Sequence, residues 1–379
     1  MKGMAKTRST TRIQNHDHVA SSSTRKRIAS CDKSDEASWS DLDHNLLFLV
    51  MMQLGVIDFL AFSGVCKSWR SLALDNWKIF MASRPPMFLW ISDRPYKKEC
   101  YLEDFEGRKF KTILPRSAGR ICVGITCGYL ILFGWKTKDF RLVNPITRHE
   151  LHFPCFPYNA RTNLKEVRGI LVSSPLVSGW AFVMLHRFTY QVWFSIAGTG
   201  AWNHVSSTFP FFDLVSFKGK IYTLNVGCRL CEMRLNPEPK LKLLQTKNFP
   251  KVVMLCPEFV SLDENLCVMY RELGGSYKVY KLDFEEMKWM SSENTLGECA
   301  FFINELKYST VIKPELWVDH ELQYMRYAYF HDTIDKSLKV GCQLWYFPCD
   351  CKNHFQGKFF AANIWYFPLD CMNSNLLDV

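Results

Sequence analysis

The sequence predicts an α+β multidomain chain: a short all-α segment at 39–84 followed by an all-β propeller of about six blades over 87–379. Three observations predict it. Apolar residues between Leu42 and Leu72 recur at helical spacing. After Pro85-Pro86 the period changes, and short β-prone runs alternate with turns. Those turns recur about every 45 residues, the length of one propeller blade of three or four strands.

The helical segment begins at Trp39-Ser40-Asp41-Leu42. Leu42, Leu46, Val50 and Leu54 repeat every four residues, with Leu47 beside them, and so make one apolar stripe on a helix of about three turns. Ser40 or Asp41 is placed to cap its start, and Gly55 to end it. A second helix is expected to open near Asp58 and bury Phe59, Leu60 and Phe62. A third carries Val65, Trp69 and Leu72, continues through Asp75 to Ser83, and stops at Arg84-Pro85-Pro86, because proline cannot sit in a helix interior. About forty residues of helix bury too small a fraction of their surface to build a self-sufficient core. A partner surface is therefore expected to complete it.

This stretch, and above all its closing Val65-Cys66-Lys67-Ser68-Trp69-Arg70, resembles an F-box. The resemblance implies docking on the Skp-type adaptor of a cullin-RING ubiquitin ligase, and through it on cullin. By position in the motif, Leu42, Leu46, Leu47, Val50, Leu54, Val65 and Trp69 are the adaptor-binding set that the resemblance implies. The family usually has Leu-Pro at the start of the first helix, where this chain has Leu42-Asp43. Proline there pre-sets the backbone, whereas Asp43 is favoured by the helix dipole. Gly64 is a second departure, costing about 1 kcal/mol if it falls inside a helix. A DNA-reading helix-turn-helix fits poorly, since the third helix offers only Lys67, Arg70 and Lys78 and few amides to read base edges.

In the β region, Phe88–Ile91 opens a hairpin whose second strand starts near Phe110, after Glu106-Gly107. Ile121–Ile125 and Tyr129–Phe133 flank Cys127-Gly128, and Phe140–Val143 ends in Asn144-Pro145. Trp180–Leu185, Tyr190–Phe194, Trp202–Val205, Leu214–Phe217 and Ile221–Leu224 continue the pattern. Phe259–Leu262, Leu266–Tyr270, Tyr277–Leu282 and Trp289 complete another unit. Gly128, Gly179, Gly219 and Asn265 mark successive turns of the period. Near the end, Leu344-Trp345-Tyr346-Phe347-Pro348 and Ile364-Trp365-Tyr366-Phe367-Pro368 are two similar strands, expected to close the ring. The region resembles the KIB-type propeller that follows the F-box in many plant proteins. Leu142-Val143-Asn144-Pro145, Phe217-Lys218-Gly219-Lys220-Ile221-Tyr222, Lys278-Val279-Tyr280-Lys281-Leu282-Asp283, and Leu296-Gly297-Glu298 ahead of Phe301-Phe302 carry that likeness.

Composition bounds the rest. With 48% hydrophobic and 15% aromatic residues the chain has ample material for a core. Residues 1–38 are Ser-, Thr-, Lys- and Arg-rich and read as a disordered basic tail. Up to residue 31, seven Lys/Arg stand against Asp17 alone, so much of the net charge of +10 sits there and the body is only modestly basic. Arg25-Lys26-Arg27 could be a nuclear import signal, and the acid-poor start could be a transit peptide. The expected location is nucleus and/or cytoplasm, with an organelle as the alternative.

Fifteen scattered cysteines without an apolar leader read as reduced thiols. Cys228 and Cys231 have no second pair at zinc-site spacing and read as buried thiols. The Cys349, Cys351, His354, Cys371 group matches no common zinc pattern, so no metal is expected. No apolar run is long enough to cross a membrane.

No Gly-x-Ser-x-Gly elbow, phosphate loop or His-Glu-x-x-His occurs. Gly274-Gly275-Ser276 reads as a hairpin turn, and Asp319-His320-Glu321 and His331-Asp332 as solvated loop charges. The sequence therefore implies no catalytic residue and no cofactor, and neither nucleic acid nor membrane as partner; the F-box resemblance implies a substrate-recognition subunit of an SCF-type (Skp-cullin-F-box) ubiquitin ligase that holds an unknown target protein on the propeller. The alternatives are a propeller scaffold with a decayed F-box and an organelle-imported propeller.

Overall fold

A computed structural model describes residues 39, 42–92, 99–104, 108–157, 166–174, 179–235, 238–249, 257–262, 265–271, 277–291, 300–303, 310–312, 343–346 and 360–366. By its contacts the chain divides into Met1–Leu42 and Asp43–Val379, and all the described helices and strands named here lie in the second. The basic tail, Ser40, Asp41, Glu106-Gly107, Gly274-Gly275-Ser276, Leu296-Gly297-Glu298, Asp319-His320-Glu321, His331-Asp332 and the Cys349, Cys351, His354, Cys371 group lie outside the described residues.

Three helices come first: α1 (His44–Gln53), α2 (Val56–Ser63) and α3 (Lys67–Ala82). The N-cap of α1 is Asp43, not the expected Ser40 or Asp41; its Oδ1 accepts the Asn45 N–H at 2.7 Å. The residue that departs from the Leu-Pro pattern therefore supplies a cap in place of a rigid φ. Asp43→Ala is expected to cost about 1 kcal/mol of bundle stability and Asp43→Ser far less, read from the midpoint of denaturant unfolding. Gly55 does not end α1, which closes on Leu54; extended Gly55 instead caps the start of α2, which opens at Val56, before Asp58. Gly64 is the C-cap of α2, so the cost of an interior glycine does not arise. Val65 falls in the α2–α3 turn and not on the third helix. Phe59 stacks on Phe80 with ring centroids 4.2 Å apart, and the Arg84 guanidinium lies 4.7 Å over the other ring of that pair. Arg84 also donates to the Met52 carbonyl and so ties the end of the bundle to α1.

The strands follow as successive antiparallel meanders. β1 (Met87–Ser92), β2 (Glu99–Glu103) and β3 (Lys109–Ile113) begin the first sheet. The second holds β4 (Arg120–Thr126), β5 (Tyr129–Gly134), β6 (Phe140–Val143) and β7 (Glu150–Phe153). The third holds β8 (Val167–Ser174), β9 (Gly179–His186), β10 (Gln191–Ile196) and β11 (Asn203–Ser206). The fourth holds β12 (Phe211–Phe217), β13 (Lys220–Asn225), β14 (Leu230–Arg234) and β15 (Lys240–Leu243). The fifth holds β16 (Glu258–Leu262), β17 (Asn265–Arg271), β18 (Tyr277–Asp283) and β19 (Lys288–Ser291). β20 (Ala300–Ile303), β21 (Thr310–Ile312) and β22 (Gln343–Tyr346) form a sixth. Finally β23 (Phe360–Tyr366) pairs antiparallel with β1, giving the order β23-β1-β2-β3.

The two similar terminal strands therefore part company. β23 closes the ring onto the first sheet, whereas β22 joins the sixth by a parallel pairing with β20. Tyr366 seals the closure: its hydroxyl donates to the Gly128 carbonyl at 3.1 Å, across to the second sheet. The result is a β-propeller with six blades among the described residues.

The turn spacing has a structural cause. Gly128, Gly219 and Asn265 sit at the first hairpin of three blades, and Gly179 at that of the third. Cys127-Gly128 and Lys218-Gly219 both place two residues at positive φ, the two-residue hairpin whose twist matches its strands. Apolar cores lie between blades. Phe140, Leu142 and Phe153 of the second pack against Leu171, Phe182 and Met184 of the third. Val183 and Leu185 then meet Phe211, Leu214 and Ile221, and Tyr222 and Leu224 meet Val268, Leu282 and Trp289.

Charges reinforce these seams. Arg168 on β8 reaches Asp213 on β12 at 3.3 Å and Glu258 on β16 at 3.0 Å, and the other Asp213 oxygen accepts the Phe259 N–H at 2.8 Å. One buried guanidinium thus joins three blades. In the second blade, burial would push the Asp139 carboxyl up, but bonds from Arg120 (2.7 Å), Thr137 and His152 (3.0 Å) hold it down at about 2. Since this folded pKa lies below the unfolded one, the stabilisation is present above about pH 4 and is lost as pH falls towards 2. Asp139→Asn is expected to cost about 2 kcal/mol at pH 7 and much less at pH 2, measured by denaturant unfolding at both.

Candidate docking site

The sequence of α1, HNLLFLVMMQ, is apolar almost all round. Such a helix has two faces to bury, and the bundle covers only one. Leu47 and Met51 point inward and are fully buried (Leu47 0% exposed), against a bundle core that includes Phe59, Phe62 and Phe80. One residue back along the helix, Leu46 (53%) and Val50 (47%) face outward, with Leu49 between them. Val65, in the α2–α3 turn, is 57% exposed. Leu42, Leu54 and Trp69 are half-buried, and the Trp69 ring stacks on Phe62 at 4.5 Å.

The predicted set is therefore split. Leu46, Val50 and Val65 are presented to solvent, Leu54 and Trp69 lie partly covered, and Leu47 belongs to the core, so it holds the ridge from behind and cannot itself be covered by a partner. The four-residue repeat and Leu47 are not one stripe, because Leu47 is turned about 100° from Leu46 on the helix. Two exposed residues escaped the sequence reading, Leu49 and, on α3, Ile79. Spacing i, i+3, i+4 from Leu46 picks out Leu49 with Val50, so the former was legible.

Cys231 is buried on β14, as the sequence implied, but Cys228 is only half-buried and sits in a turn at positive φ. Burial pushes both thiols up, so neither is poised as a thiolate ligand or nucleophile. Among the described residues no three His, Cys, Asp or Glu side chains gather as a metal site, and no helix is long and apolar enough to cross a membrane.

Residues 39–80 match the F-box domain model, and residues 100–315, more than half the chain, match the model described as the KIB1-4 beta-propeller. The chain belongs to the KIB1-4 β-propeller family. An F-box followed by a KIB1-4 propeller supports a protein-interaction or substrate-recognition role; F-box domains in general bind Skp1-type adaptors, and neither module is typically catalytic. No curated protein matches the chain in sequence.

Solved structures are similar only weakly. Virginiamycin B lyase from Staphylococcus aureus, with quinupristin, is 10% identical at a TM-score of 0.33, over 54% of this chain and 68% of that one. The WD40 domain of SCAP from fission yeast is 12% identical at 0.34, over 55% and 56%, so the chain matches little more than half of its length.

Proposed function

We propose that this chain is the substrate-recognition subunit of an SCF-type ubiquitin ligase, docking on a Skp-type adaptor through α1 and its neighbouring turn and holding a target protein on the propeller. It contributes no catalytic group. Its contribution is proximity: tethering raises the effective concentration of target lysines beside the charged carrier enzyme. The observation that carries the reading is the outward ridge of Leu46, Leu49 and Val50 on a helix whose other face is already packed, with Val65 also exposed in the α2–α3 turn. Covering such half-exposed side chains recovers about 1 kcal/mol each, roughly half the value of burying one completely.

The test is co-purification of the intact chain with adaptor and cullin from cells, compared with a Leu46→Ala/Val50→Ala chain. The expected result is that wild type retains both partners and the variant loses both, while proteins that accumulate only with the variant are targets. Equal recovery with the two chains would overturn the docking assignment.

A further inference from the structure

Strand register places the β9–β10, β11–β12 and β13–β14 connections at one end of the blades. The chain enters from the helices at the opposite end, where Met87 pairs with Tyr366 beside the Gly128 turn. The three connections are bonded to one another: Phe188 N–H donates to the Phe211 carbonyl and Val226 N–H to the Pro210 carbonyl, both at 2.8 Å. On this joined surface Phe188 (48%), Tyr190 (53%), Phe209 and Val226 are exposed. Phe188 is held at φ +63, a conformation that bulky residues rarely adopt, and its ring stands edge-on to Phe212 at 5.6 Å.

The exposed charge here is positive. Behind the patch lies Arg187, 2% exposed, its Nε donating to the Phe212 carbonyl at 2.8 Å and its Nη1 3.7 Å from Glu258. Its Nη2 has no hydrogen-bond partner. Exposed Arg229 lies 4.8 Å over the Phe209 ring. Asp213 and Glu258 at this end are taken up by Arg168 and Arg187, and half-buried Glu166 lies here too, its carbonyl accepting the Arg187 N–H at 2.9 Å. At the same end of the second blade the exposed charge is again positive, on Lys136 beside exposed Trp135.

We propose that this end of the propeller binds an acidic polypeptide segment carrying at least one aromatic or large aliphatic residue. The inference rests on the substrate-receptor reading and names the chemistry of what is held. Charge complementarity selects the occupant: the aromatic rings take the apolar side chain, and exposed Arg229, with Lys136 at the same end of the second blade, takes the carboxylates. A second copy of this chain would oppose like charges. A nucleic acid strand needs a continuous cationic track, which two exposed cations on separate blades do not make.

The test is selection of displayed random short peptides on the intact chain bound to its adaptor, followed by titration of the enriched peptides. Expected are net-negative sequences with a large apolar residue, weakened about tenfold or more by Tyr190→Ala/Phe209→Ala and weakened again by Arg229→Glu. Both sites are exposed, and an unchanged thermal unfolding midpoint certifies that the variants are folded. Enriched peptides that are neutral or basic, binding equal in wild type and variant, absence of enrichment, or displacement of bound peptide by an RNA oligonucleotide competing for these residues would each overturn the proposal. Loss of adaptor binding with peptide binding intact would instead count against the ligase reading alone.

Discussion

Truncating Leu46 and Val50 together to alanine is expected to weaken adaptor binding by roughly 4 kcal/mol, about a thousandfold, while the fold loses little. Both side chains are about half exposed in the free chain, so their removal leaves no cavity. Leu47→Ala should behave in the opposite way. That side chain is fully enclosed, and deleting it is expected to cost about 2–5 kcal/mol of bundle stability. Adaptor affinity would then fall only as far as the bundle unfolds. Titration calorimetry for binding and circular dichroism for unfolding, run on the two variants in parallel, separate a docking role from a packing role. If Leu46→Ala/Val50→Ala bound as tightly as wild type, the ridge would not be the docking face.

Asp213→Ala is expected to be the most damaging single substitution in the propeller. It removes the carboxylate that accepts the Phe259 N–H at 2.8 Å and faces Arg168 at 3.3 Å. A buried charge stripped of one partner typically costs about 3–5 kcal/mol. For a domain of this size that lowers the unfolding midpoint by roughly 10 °C. Asp213→Asn retains an acceptor for Phe259 and should lose less. Because α1 contributes nothing to this seam, adaptor affinity of the Asp213→Ala chain should stay at the wild-type level below its melting point. An unchanged midpoint would mean that the three-blade linkage through Arg168 adds no stability.

The blade period was legible because glycines at positive φ mark the first hairpin of the second, third and fourth blades, at Gly128, Gly179 and Gly219, and Asn265 opens the second strand of the fifth. Strands packed on both faces were also legible, as unbroken apolar runs such as Tyr129–Phe133 and Trp180–Leu185. Other strands were not. β7 (ELHF) and β15 (KLKL) are short and alternate with polar residues, so no apolar run marks them. β8 was hidden because Arg168 and Gly169 interrupt it.

Both interruptions have long-range causes. Arg168 is paired across two other blades, and a Cβ at position 169 would lie 2.7 Å from the Phe182 ring. Nothing local announces either. In the helices, apolar character was legible but its division into an inner and an outer face was not, since Leu46 and Leu47 are equally apolar and only the packing of Phe59, Phe62 and Phe80 decides between them. The aromatic end of the propeller was invisible for the same reason: Phe188 and Phe209 differ from buried phenylalanines only in where the turns put them.

Calorimetric titration of a purified Skp-type adaptor into the intact chain tests the unfinished α1 face most directly. The expected result is one-to-one binding tighter than about 1 μM, roughly 8 kcal/mol, with the negative heat-capacity change of apolar burial. Absence of heat and of co-elution at micromolar concentrations, with the chain folded, would contradict it.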